Sequence, residues 1–122
     1  MLKAQDFRRT ALGMTDAVER AHMGHPDFRV NNRIFATLHA DNKVGMVKLT
    51  PDQQKRFVEQ APAAFVPENG AWGRSGCTSV RLEAVDGDTL GEAMTLAWQN
   101  AADKNASPRR TQRTQRSKRT RK

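Results

Sequence analysis

The chain has 122 residues, 37% of them hydrophobic, a formal net charge of +8 and a single cysteine. That length suits one core and excludes two independent domains, and one cysteine excludes an internal disulfide and suits a reducing compartment. No apolar run reaches about 18 residues, and Asp6, Arg8 and Arg9 interrupt the N-terminus before a signal pattern develops, so a soluble, cytoplasmic protein without membrane contact is expected.

Ala4, Phe7, Ala11 and Met14 recur at helical spacing, with Leu12 beside them, and predict a helix to about Gly13. Val18 to Met23 fits either another helical turn or a short strand. Residues 24–38 then read as a β-hairpin turning at Asn31-Asn32, because apolar residues alternate on both sides and Asn tolerates φ > 0. Two registers compete. A two-residue turn sets Val30 opposite Arg33 and Arg29 opposite Ile34, mixing both faces. A three-residue loop, Asn31 to Arg33, gathers Phe28, Val30, Ile34, Ala36 and Leu38 on one face and is preferred on burial; it leaves Phe35 as a second-layer contact or a surface aromatic.

Ala40 to Lys43 is a turn, and Val44 to Leu49 the next antiparallel strand. Thr50, Pro51 and Gln53 form a Thr-x-x-Gln capping box with proline at the first helical position, opening a helix to about Gln60 that buries Phe57, Val58 and Ala61. Pro62, Pro67 and Glu68-Asn69-Gly70 read as an irregular connection, and Gly76 to Ala84 as a strand with Val80, Leu82 and Ala84 on one face. Asp86 to Thr89 turns into the last helix, with Thr89 and Glu92 spaced as a second capping box. Leu90, Ala93, Met94, Ala97, Trp98 and Ala101 make its apolar stripe.

Charge divides the chain into a body, 1–104, and a tail, 105–122. The body holds 13 Lys+Arg against 13 Asp+Glu, whereas the tail holds 8 Lys+Arg and no acid, so the whole excess belongs to the tail. With no apolar residue after Ala106, the tail is expected to be a disordered polycation.

Gly24-His25-Pro26-Asp27-Phe28-Arg29-Val30, Ile34 to Leu38, Val47-Lys48-Leu49, Gly70 to Gly76 ahead of Val80-Arg81-Leu82, and Ala97-Trp98 together resemble the MmcQ/YjbR-like family over roughly residues 3–103. The resemblance implies an α+β fold of two layers, an antiparallel sheet with helices packed on it, sometimes called a double-wing DNA-binding domain. Two departures stand out: Cys77, where many members carry an aromatic residue, and the basic tail, which lies outside the shared domain.

Zinc favours imidazole and thiolate, but the spacing of His22, His25, His39 and Cys77 matches no standard finger, and His25-Pro26 reads better as shaping the entry to a strand. Cys77 lacks the signature of a nucleophile and reads as packing. Gly70, Gly73 and Gly76 would let backbone amides approach a phosphate, yet no Gly-Lys-Thr ending follows; they read as a turn presenting Trp72. Acidic residues are dispersed, so no enzyme, metal or cofactor is expected.

Phosphate attraction remains. In the body its candidates are Arg29, Arg33, Lys48, Trp72, Arg74 and Arg81, set against the alternative of a plain solvated face; in the tail they are Arg109, Arg110, Arg113, Arg116, Lys118, Arg119, Arg121 and Lys122. The expectation is weak, nonspecific DNA binding with the tail supplying most affinity. The alternative is a protein-interaction module taking a peptide or a second copy on the sheet face or edge, favoured by any exposed apolar patch around Phe35 and Trp72.

Overall fold

The computed structural model describes residues 1–22 and 24–103. In chain order the elements are α1 (Ala4–Leu12), β1 (Val18–His22), β2 (His25–Val30), β3 (Arg33–Leu38), β4 (Val44–Lys48), α2 (Pro51–Gln60), β5 (Phe65–Pro67), α3 (Gly70–Arg74), β6 (Cys77–Arg81) and α4 (Gly87–Ala102). The strands form one antiparallel sheet ordered β1-β2-β3-β4-β6-β5. The fold is thus α+β, and the stretch from Val18 that the sequence left open is a strand. The tail, residues 105–122, lies outside the described residues.

The hairpin turns at two residues, not three. Asn31 and Asn32 both take positive φ, +53° and +66°, the pattern of the tight hairpin turn that asparagine tolerates better than most residues carrying a Cβ. Val30 therefore pairs with Arg33 and Arg29 with Ile34, but the register then shifts so that Phe28 pairs with Ala36. One extra residue on β3 forms a β-bulge, which lets the favoured turn and the apolar face coexist. The bulge corrects two expectations. Phe35 is fully buried beside Ala36, and Ile34 is only half-buried.

One core lies between a single sheet face and the helices. Phe28, Val30, Ala36, Leu38, Val47 and Val80 meet Phe7 and Ala11 of α1, Phe57 of α2, and Leu90, Ala93, Met94 and Ala97 of α4. The Phe7 ring sits 6.0 Å from that of Phe28 and lies against the bare backbone of Gly45, where a Cβ would come within 2.4 Å of it. Phe57 and Phe65 rings stand 5.1 Å apart, tying α2 to β5. The opposite face carries Arg29, Thr37, Met46, Lys48 and Ser79, all half-buried. Across it Glu68 accepts a hydrogen bond from Ser79 Oγ at 2.6 Å and lies 3.8 Å from His39 Nε2.

The Thr50 capping box forms as read, with Thr50 Oγ1 accepting from Gln53 N and Gln53 Oε1 accepting from Thr50 N. Of the residues assigned to α2's buried side, Phe57 is fully buried while Val58 and Ala61 are half-buried, because only Phe57 points straight at β5. The connection read as irregular contains β5 and α3, and the following strand stops at Arg81. Leu82 is buried, but Ala84 lies exposed in the turn after it. The cap of α4 is Asp86, three residues ahead of the Thr89 box: its Oδ1 accepts from Thr89 N at 2.7 Å. Those hydrogen bonds from Thr89 hold the Asp86 carboxyl below its ordinary range. A carboxylate depressed in the folded state stabilises the fold above its unfolded pKa and loses that contribution as pH falls through the folded value. Asp86→Asn retains an acceptor but does not titrate, so the Tm advantage of the native chain over this variant should shrink on acidification below the usual carboxylate range. An advantage unchanged down to pH about 2 would assign the cap no charge-dependent role.

Candidate nucleic-acid interface

Antiparallel pairing places the start of β3 beside the end of β4, so Arg33, first in β3, and Lys48, last in β4, come to the same end of the sheet. There a cleft of about 420 Å³ opens between the hairpin tip, the β4–α2 link, α3 and the last turns of α4. Arg33, Lys48 and Trp72 line it together, and no acidic residue does. Neither cation forms a salt bridge among the described residues. Trp72 is 68% exposed, an unusual cost for so large an apolar group.

The cleft walls are fixed by side chains that the sequence did not single out. Asn100 on α4 donates through Nδ2 to Lys48 O at 3.1 Å and to Gln53 Oε1 at 2.9 Å, joining the helix to the end of β4 and to the α2 cap. Gln54 Nε2 donates to Gly73 O, Cys77 O and Thr78 Oγ1 at 3.0–3.1 Å, which fastens α3 and with it Trp72. Asn31 Nδ2 donates to Ala102 O at 3.2 Å, so the hairpin tip is tied to the end of α4, where the chain runs on into its basic segment. These partners lie 19 to 71 residues apart, a separation that carries no motif.

The other body candidates are elsewhere. Arg29 forms a two-pronged ion pair with the buried Asp27, Nε to Oδ1 at 2.9 Å and Nη2 to Oδ2 at 3.1 Å, so its guanidinium is held within the sheet. A signal for this existed: residues two apart on a strand share a face. Arg81 lies on β6 opposite Val44, 4.0 Å from Glu83, and lines a larger cleft of about 680 Å³ near the N-terminus, where Asp41 and Glu83 mix with Lys3 and Lys43. Arg74 ends α3 and is exposed. The eight tail cations, Arg109 to Lys122, are outside the described residues.

Cys77 lines the basic cleft but is 6% exposed; burial pushes its thiol up from the ordinary value, with the Lys48 ammonium acting partly against that. Among the described residues no three His, Cys, Asp or Glu side chains gather as a metal-ion cage, and no helix is long and apolar enough to cross a membrane. Phe35 is buried, which leaves Trp72 as the exposed member of the aromatic pair considered for protein docking.

A family model described as YjbR matches residues 12–100. The crystal structure of Deinococcus radiodurans protein DR2400, which carries a DUF419 domain, is similar with a TM-score of 0.73 at 17% sequence identity, over 88% of this chain and 84% of that one. At that identity the likeness concerns the fold. No curated protein matches the sequence.

Proposed function

The chain belongs to the YjbR family, and on that premise we propose that it is a noncatalytic DNA-binding protein that grips phosphate without reading sequence. The observation that carries this reading is the placing of Arg33 and Lys48, without a salt bridge among the described residues, in one cleft that no described acid lines, at the end of the sheet where α4 gives way to a segment with eight further cations. Cations free of local acids release counterions from phosphate on binding, and this attraction is independent of base sequence. The tail has no aromatic residue, so it contributes charge and no stacking.

Each phosphate neutralised on duplex DNA contributes about −0.9 to the slope of log K against log salt, so the tail accounts for at most about −7 and the two cleft cations for about −2. Replacing all eight tail cations by Gln in the full chain should remove most of the slope, and Arg33→Gln with Lys48→Gln a smaller part. Salt titrations of binding to a random-sequence duplex check both. Unchanged slope and affinity in the tail variant would end the tail's role, and no binding by any form would end the DNA reading.

A further inference from the structure

Phosphate attraction explains Arg33 and Lys48 but leaves Trp72 without a purpose. Its indole is 68% exposed, takes no side-chain hydrogen bond or ring contact among the described residues, and stands on a short helix fastened by Gln54. The other tryptophan behaves differently: Trp98 is half-buried and donates Nε1 to Thr15 O at 2.9 Å. An indole offers one N–H donor and no acceptor, so what an exposed one presents to a nucleic acid is its face. In a duplex both faces of each base are already covered by neighbouring bases, and a cleft of about 420 Å³ holds a nucleotide-sized group but no duplex.

Building on the phosphate-binding reading above, we propose that this cleft takes one unpaired base against Trp72 while Arg33 and Lys48 hold the adjoining phosphates, so that the protein prefers single-stranded DNA. The walls suit this role because they are already set: Asn100 holds Lys48's backbone to the α2 cap, and the Asn31–Ala102 hydrogen bond holds the hairpin tip that carries Arg33. A base entering the cleft therefore meets the ring and the cations without reordering the chain, and the stacking energy is not spent on closure.

The test compares the full chain, Trp72→Ala and Trp72→Phe on a thymidine oligonucleotide, on a duplex of the same length and on inorganic polyphosphate, which has charge but no bases. Trp72→Ala should weaken single-strand binding by about 10-fold or more and leave duplex and polyphosphate binding unchanged. Trp72→Phe should keep most of the single-strand affinity, and the fluorescence change that the oligonucleotide produces in the native chain should vanish, since Trp98 remains. Equal affinity for single strand and duplex, or a Trp72→Ala variant that loses nothing or loses equally on polyphosphate, would overturn the stacking site while leaving the phosphate reading standing. A chain that binds none of the three probes would overturn both. Because Trp72 is exposed, neither substitution empties a core site, and a Tm matching the native chain verifies that directly.

Discussion

Gly76→Ala should lower Tm by about 15 °C or more, corresponding to a loss of about 4 kcal/mol or more. Gly76 ends the turn after α3 at φ +114°, a conformation that side chains rarely adopt. Its open space is also taken. A Cβ there would stand 1.9 Å from Leu49 O and 2.8 Å from Leu49 C, and Gly76 O accepts from Leu49 N at 3.2 Å. Two backbone segments thus touch at this point, and neither can yield as a flexible side chain would. Backbone strain of about 1–3 kcal/mol adds to the overlap, and the sum is a large fraction of the 5–15 kcal/mol typical of a whole domain. Thermal unfolding of the variant decides the matter: a fall of only a few degrees would mean that the β4–α2 link and the α3–β6 turn can move apart, and that the cleft wall is softer than its hydrogen bonds indicate.

Phe35→Ala should cost about 3–5 kcal/mol, because it empties a fully buried site of ring size. Ile34→Ala, one residue earlier and half-buried, should cost less than about 2 kcal/mol. Denaturant unfolding of both variants compares the bulged two-residue register with the three-residue loop. In the latter Ile34 belongs to the core and Phe35 does not, so an Ile34→Ala penalty equal to or above that of Phe35→Ala would restore the loop and remove the bulge.

The same pair of residues shows where the sequence is readable and where it is not. Periodicity identifies an element when one helix face is buried throughout, as with Leu90, Ala93, Met94, Ala97 and Ala101 of α4. It fails at a bulge, since one inserted residue breaks the alternation that register is inferred from, and Phe35 is the residue inserted. Local chemistry was legible at Thr50 and Gln53 because both halves of the cap lie within four residues. At α4 the same pattern, Thr89 and Glu92, misplaced the cap, because Asp86 offers an equally good acceptor one turn earlier and Gly87 tolerates the first helical position. The short β5 and α3 escaped notice because Pro67, Gly70 and Gly73 oppose regular structure by propensity, and tertiary contacts hold them instead: pairing with β6, the Phe57–Phe65 rings and the Gln54 hydrogen bonds. For the site, the charge of Arg33 and Lys48 and the aromatic Trp72 were visible as residue types. Their meeting in one cleft was not, since it depends on Asn100 and Asn31 reaching across most of the chain.

The order of the strands also bears on how the chain folds as it is synthesised. β1 to β4 are consecutive neighbours, so they can pair soon after they emerge, and β6 completes the sheet by residue 81. The helix that covers much of its apolar face begins only at Gly87, so although Phe28 can already meet Phe7 of α1, the core stays incomplete until Leu90, Ala93, Met94 and Ala97 arrive. A chain ending near residue 86 would lack the α4 side chains of this core, and the apolar surface they cover is of the kind that chaperones and self-association engage. Docking of α4, joined to the hairpin tip by the hydrogen bond from Asn31 to Ala102 across 71 residues, therefore supplies the last apolar layer of the core in chain order.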